Sequence, residues 1–249
     1  MASGSGILGV LRRRWLIIVV AVPLFLAVLW FAGSFIPIGG SPVTHGPATQ
    51  QMIALTFDDG PNATYTPEVL QILDRYQAKG TFFLIGANVK KHPEIAQQII
   101  EHGQQIGNHS YLHSNLLPYL LPNQIVDDYR KAEKAIRDAT GLEPRFYRAP
   151  HGRLSPWMRW DLRRQGLILA GWNDSAGDWK NPGVEELVRR IVGAARPGGI
   201  IDLHDGLDRN ESPDRSQLVQ ALPAIIEQLQ SRGYRLVTLA QLLGKEPYF

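Results

Sequence analysis

The sequence predicts an α/β fold: a parallel sheet with crossover helices, open or closed into a barrel, carried behind one N-terminal transmembrane helix. Two observations predict it. Short apolar runs alternate with helical patterns through the whole body of the chain, and a long chargeless run near the N-terminus is apolar on every side. A length of 249 residues with 44% hydrophobic content suits one domain of roughly 200 residues plus an appendage.

The N-terminal element comes first. From Trp15 to Ile38 no residue is charged, and the run exceeds the ~20 residues a helix needs to cross a bilayer. Arg12, Arg13 and Arg14 precede it, which by the positive-inside bias keeps residues 1–14 cytoplasmic and turns the body outward. A cleaved signal peptide is the competing reading, but its apolar region would be only about 7–15 residues long. An uncleaved signal anchor at 15–38 is therefore expected, with a single-pass location in the cell membrane. Residues 39–51, rich in Gly, Pro, Ser and Thr, read as an extended linker. Removing the three arginines from 26 Lys+Arg leaves 23 against 23 Asp+Glu, so the rest of the chain is electrically balanced. A nucleic-acid partner, which would call for a basic face, is not expected. With no cysteine, disulfides, thiolate metal sites and cysteine nucleophiles are excluded.

The body, residues 52–249, then reads strand by strand. MIALTF, TFFLIG, QQIGNH, RFYRAP, LILAGWN, GIIDLHD and YRLVTL are the strands. Helices are expected over Thr66–Ala78, Ala87–Glu101, Asn123–Ala139, Pro156–Arg164, Val184–Ala195 and Ser216–Arg232. In Asn123–Ala139, Ile125, Tyr129, Ala132 and Ile136 keep helical spacing. Ligands of such sheets gather at the C-terminal ends of the strands, and the polar motifs of this chain fall there.

Thr56-Phe57-Asp58-Asp59-Gly60 ends the first strand with two adjacent carboxylates. Strand alternation sends them to opposite faces, so one is free to bind a cation while the other accepts a proton. An Asp-Gly turn with no further role is the plain alternative. His109 and His113, four residues apart after the third strand, would share a helical face and grip one divalent ion. With Asp59 they make a three-ligand set that suits zinc or a similar metal and leaves a coordination position open. Arg148-Ala149-Pro150-His151-Gly152, Asp178-Trp179 and Leu203-His204-Asp205 end later strands.

Together these five ordered motifs resemble those of the polysaccharide deacetylases with a NodB homology domain, the family-4 carbohydrate esterases. The resemblance covers roughly Met52 to Leu243. It implies a distorted (β/α)7-8 barrel with Asp58 as general base and His204 as general acid. Asp59, His109 and His113 would be metal ligands, Arg148 would orient Asp58, and Asp178 would orient His204. Trp179, Pro150 and Leu203 would meet the substrate, and zinc would be the metal of first choice, with cobalt, nickel or manganese as alternatives. The implied reaction removes N-acetyl groups from amino sugars of an extracytoplasmic polysaccharide: peptidoglycan, a chitin-like polymer or poly-N-acetylglucosamine. An O-acetyl esterase of the xylan type and a catalytically silent glycan-binding protein remain as alternatives.

Two positions depart from the family pattern. Ser175 stands where an acidic residue is usual, and Asp202 stands two before the acidic histidine, where Leu or Ile usually lines the acetyl pocket. His151, Trp157, Trp160 and Trp172 are equally compatible with substrate contact and with surface or core roles.

Overall fold

The computed structural model describes residues 19–25, 28 and 40–249. Residues 19–25 and 28 are helical, with their apolar side chains exposed, Leu24 at 64% and Phe25 at 63%. Most of the segment read as a membrane anchor, and all of the 1–14 tail, lies outside the described residues. Among the described residues no helix is long and apolar enough to cross a membrane.

From Met52 onward the elements, in chain order, are β1 (Met52–Gly60), α1 (Tyr65–Arg75), β2 (Gly80–Leu84), α2 (Gly86–Lys91), α3 (Pro93–Glu101), β3 (Gln105–Asn108), α4 (Pro122–Thr140) and β4 (Phe146–Tyr147). They continue with α5 (Pro156–Arg164), β5 (Ile168–Leu169), β6 (Asp174–Ser175), α6 (Val184–Ala194), β7 (Gly199–His204), α7 (Ser216–Ser231), β8 (Arg235–Leu236) and α8 (Leu239–Leu243). All strand pairs are parallel, in the order β5-β4-β3-β2-β1-β7-β6, with β8 added beside β1. The sheet curls into a barrel that leaves β5 and β6 unpaired with each other. Residues 43–46 lie across that opening. Val43 N donates to Leu169 O at 2.8 Å, Gly171 N donates to Val43 O at 2.7 Å, and Gly46 N donates to Gly198 O at 2.7 Å. The stretch read as an extended linker is thus, in part, a hydrogen-bonded edge of the domain.

The two faces of β1 explain the architecture. Ile53, Leu55 and Phe57 point to the helix layer, where they join Val69, Leu73, Ile225 and Leu229 in one apolar cluster. Ala54 points inward to Phe83, Phe146, Ile200 and Leu239. Inward residues become more polar toward the C-terminal end, running Ala54, Thr56, Asp58 on β1 and Ile200, Asp202, His204 on β7. The register pairs Thr56 with Asp202 and Asp58 with His204. A dry floor and a charged mouth follow from side-chain alternation alone.

Helix α4 buries Ile125, Tyr129, Ala132 and Ile136, the spacing read from the sequence, and ends at Gly141 in a left-handed conformation (φ 74°). The single helix expected over Ala87–Glu101 is two, α2 and α3. His92 precedes Pro93, whose ring disfavours helical backbone in the residue before it, and His92 sits at φ −130°, ψ 57°.

Candidate active site

At the C-terminal mouth of the barrel lies a cavity of about 360 Å³. Asp58, Asp59, His109, His113, Asp202 and His204 line it, with Trp172, Trp179, His151, Leu207 and Asp208 completing the wall.

The backbone delivers the ligands in a way that spacing alone does not indicate. Asp58 and Asp59 were expected on opposite faces of β1, yet both reach the same cavity. Asp59 adopts φ +72°, and the β1–β2 register shifts between Asp58 and Gly60, so alternation is broken at that residue. Asn88 holds the bend by donating from Nδ2 to the Asp59 carbonyl at 2.9 Å. Likewise His109 and His113 do not share a helix. They belong to a loop in which Ser110 (φ 69°) and His113 (φ 53°) are left-handed, and this folds the two rings to 4.9 Å apart. Five of the seven non-glycine residues with positive φ among the described residues lie at this site: Asp59, Ser110, His113, His151 and Asp208. Such backbone is costly and clusters at functional sites.

The donor atoms fit a cation. Asp59 Oδ1 lies 3.1 Å from His113 Nε2 and 3.5 Å from His109 Nε2. That oxygen is buried with no aligned hydrogen-bond donor, while Asp59 Oδ2 accepts from the Asp208 backbone N–H at 2.9 Å. His109 Nδ1 lies 2.8 Å from the Arg148 carbonyl, an acceptor, so Nδ1 carries a proton and Nε2 is turned toward Asp59. His113 Nδ1 lies 2.5 Å from Asp208 Oδ1, and its Nε2 is turned toward Asp59. Burial, followed by the neighbouring His109, pushes His113 down to about 4, while His109, against its own burial, is pushed up by Asp58 and Asp59; a cation bound here would take the place of the His109 Nε2 proton. Two imidazoles and one carboxylate thus converge with donor atoms within 4.8 Å of one another, a set that suits a divalent cation.

Beside the ligands stands a second constellation. Arg148 is fully buried, and its Nη1 donates to Asp58 Oδ1 (2.8 Å), Thr56 Oγ1 (2.8 Å) and Asp202 Oδ1 (3.2 Å). Its Nη2 donates to the Gly171 carbonyl at 3.0 Å, and its plane lies over the Phe83 ring at 4.2 Å. Across the cavity, Asp178 accepts from the His204 backbone N–H at 2.9 Å and stands 3.0 Å from His204 Nδ1. Burial opposes charge on His204, but Asp178 outweighs it by charge and hydrogen bond, and the imidazole is pushed up to about 10. His204 is therefore an imidazolium near neutral pH, with Nδ1–H given to Asp178 and Nε2–H left for the cavity. Trp179 packs edge-on against it at 5.2 Å.

Seven of the residues singled out from the sequence, Asp58, Asp59, His109, His113, Arg148, Asp178 and His204, thus form one connected site, with Trp179 on its wall. Two others do not reach the cavity. Leu203 is fully buried in the apolar cluster under the helices, because strand alternation sends it to the face opposite Asp202 and His204. Pro150 is buried and starts the short turn Pro150–Gly152, and the residue this turn presents to the cavity is His151. Sequence reasoning left His151 and Trp172 open, and it did not single out Asp208. The one signal for Asp208 was its place in the polar loop after His204.

A family profile described as polysaccharide deacetylase matches residues 45–170. The chain is 40% identical to a peptidoglycan-N-acetylglucosamine deacetylase of Bacillus cereus, over 79% of this chain and 90% of that one. It is 35% identical to a chitooligosaccharide deacetylase of Bradyrhizobium, over 84% and 98%. Among solved structures it superposes on a peptidoglycan N-acetylglucosamine deacetylase in complex with an N-oxidanyl-benzamide, with TM-score 0.77 and 32% identity over 82% of this chain and 93% of that one. It also superposes on a pseudoenzyme of the same fold family from Bacillus anthracis, with TM-score 0.74 and 28% identity over 81% and 68%. Shared over most of its length with these proteins, and carrying the ordered motifs at the mouth of the same curled sheet, this chain belongs to the polysaccharide deacetylase family, the family-4 carbohydrate esterases.

Proposed function

We propose that this chain is a metal-dependent hydrolase that removes N-acetyl groups from amino sugars of an extracytoplasmic polysaccharide, peptidoglycan being the first candidate. The observation that carries this is the pairing of a buried three-donor cluster with a separate base and acid. Asp58 is held by Arg148, and His204 is held protonated by Asp178. A protein that only binds glycan needs neither group, and the existence of a family pseudoenzyme shows why that distinction matters.

Asp59, His109 and His113 would hold the cation, which when bound supplies Lewis-acid polarisation of the amide carbonyl and a lowered water pKa. Zinc is the first choice for two imidazoles and a carboxylate, and cobalt, nickel and manganese also suit them. The N-oxidanyl-benzamide in the superposed structure is a hydroxamic acid, a group that chelates metals, which supports the same reading. Asp58, its Oδ1 fixed by Arg148, takes a proton from the attacking water as the new C–O bond makes the amide carbon tetrahedral. His204 passes its Nε2 proton to the amide nitrogen, the C–N bond breaks, and acetate and a free amine leave. Trp172 and Trp179 offer apolar faces to a sugar ring at the wall of the cleft.

The location belongs to the same proposal: a single-pass anchor at 15–38 with the domain outside. The apolar run, the preceding arginines and the exposed apolar helical residues 19–25 support it. Arg163 of α5 donates to the Ser41 carbonyl at 2.8 Å, so the domain begins only a few residues beyond the expected end of the span.

The test is mass spectrometry of peptidoglycan fragments and chitin oligomers after incubation with metal-loaded protein. Loss of acetyl-sized mass with appearance of free amine is expected. Acetate release from O-acetylated xylan alone would replace this reading with the esterase, and no release from any glycan would replace it with the silent binder.

A further inference from the structure

Of the four carboxylates that line the cavity, Asp58 and Asp59 have parts in the proposed reaction and Asp208 stands against His113 while its backbone N–H holds Asp59, which leaves Asp202 without a task. Its position is specific. It stands two before His204 on β7, so both side chains lie on one face, and an Asp202 oxygen lies within 4.8 Å of His204 and Asp58 atoms. Asp202 Oδ1 accepts from the same Arg148 Nη1 that serves Asp58, and Oδ2 accepts from Ser175 Oγ at 3.2 Å. Ser175 is its register partner on β6. The ionisable groups facing it are Asp58 from β1, Arg148 from the end of β4, Asp178 from the turn after β6 and His204 on its own strand. Asp202 is 2% exposed, and burial together with Asp58 pushes its carboxyl up to about 7. A leucine there would avoid the cost of burying a carboxylate on a shared guanidinium. A residue kept for packing alone would not carry that cost.

We propose that Asp202 is a positioning residue of this site, which steadies Arg148 at the same Nη1 that serves Asp58 and sets its carboxyl group beside the His204 ring. The inference rests on the reading of Asp58 and His204 as base and acid. It extends that reading to a residue of the cavity wall that acts through Arg148 and His204. Ser175 lies across the strand pair and bonds Asp202 Oδ2, so a carboxylate placed there is the nearest replacement for the one at 202.

The experiment uses the full chain with Asp202→Leu, Asp202→Asn and the double variant Ser175→Asp/Asp202→Leu. Two readouts are taken: kcat and KM against pH on an N-acetylglucosamine oligomer, and NMR titration of the His204 imidazole in metal-free protein. Asp202→Leu is expected to lower kcat about tenfold with KM little changed, because the loss is one of alignment at the reacting centre. Its basic limb and its His204 titration should move down by about one pH unit, the size of effect of one nearby opposite charge. Asp202→Asn keeps an acceptor for Arg148 and should hold most of kcat while still lowering the His204 titration. The double variant should regain most of the lost kcat. An unchanged His204 titration in a variant with wild-type melting and metal content overturns the proposal, as does a double variant no better than Asp202→Leu. Should Asp202→Leu fail to fold, the Asp202→Asn titration decides. Should wild type deacetylate nothing, the functional reading falls, while the NMR titration still judges Asp202.

Discussion

Arg148→Met removes the cation that two buried carboxylates share. Asp58 and Asp202 are 3% and 2% exposed, and both bond to Nη1 of a guanidinium that is itself fully buried. Met fills a similar volume, so the change isolates charge and hydrogen bonds from packing. Removing one partner of a buried ion pair costs about 3–5 kcal/mol, and for a chain of this size that lowers Tm by roughly 10 °C. The loss should also depend on pH. Burial and Asp58 push Asp202 from 3.8 up to about 7, so the folded state keeps a proton that the unfolded chain releases. An acid shifted upward stabilises least at the high end of its window, and folded-state stability falls as pH climbs from about 4 to 7. Arg148 lowers the Asp202 carboxyl, so in the variant Asp202 holds its proton to still higher pH. At pH 5 Asp202 is protonated with or without the guanidinium, whereas near pH 8 only wild type has a carboxylate there that the cation stabilises, and the difference between wild type and variant should widen. Thermal melts of metal-stripped protein at the two pH values measure it. A loss below about 1 kcal/mol, or the same loss at both pH values, would show that Arg148 does not hold this cluster together.

The remaining predictions concern the acid, the ligands and the turn. Asp178→Asn should lower kcat by two orders of magnitude or more, at about 10²–10⁴-fold, and draw the basic limb toward neutral pH, since it removes the charge that raises His204; pH–rate profiles check this. His113→Ala should abolish stoichiometric metal uptake measured by mass spectrometry, and a chelator should silence wild type until divalent metal is returned. Gly206→Ala would place a Cβ 2.3 Å from the Asp59 carbonyl oxygen, a backbone atom with no room to give. It should cost about 1–3 kcal/mol in denaturant titration and weaken metal affinity about 10-fold or more by displacing the Asp59 bend.

The strand-helix alternation, the residues of α4 and α5, and seven of the site residues were legible because each depends on local periodicity or on side-chain chemistry. What escaped was set by contacts distant in sequence. Nothing near Asp59 announces φ +72°, since its bend is fixed by Asn88 Nδ2 and by the Asp208 N–H on another loop. Spacing of four between His109 and His113 suggests a helix, yet Ser110 Oγ accepting from His113 N at 3.0 Å and Asn108 Oδ1 accepting from Ser110 N at 2.9 Å close a turn instead. Leu203 sat inside a recognisable motif, but membership of a motif does not say which face of β7 a side chain takes. The edge role of Val43 and Gly46 was hidden because their partners, Leu169 and Gly198, lie far along the chain.

The left-handed residues join the fold to the chemistry. Asp and His are among the few side chains that tolerate positive φ, and four of the five such residues at the site are Asp59, His113, His151 and Asp208. The same residue types supply ligand atoms, so a tight loop and a metal-binding loop ask for the same sequence. Strained backbone persists only where its surroundings overdetermine it. Here β1 provides that frame, buried at every position and paired along its length with β2 and β7. Asp59 bends away from a strand that cannot shift to relieve it. It follows that substitutions in the β1 core, such as Phe57→Ala, should loosen the metal cluster as well as the fold, although Phe57 faces the helices and touches no ligand.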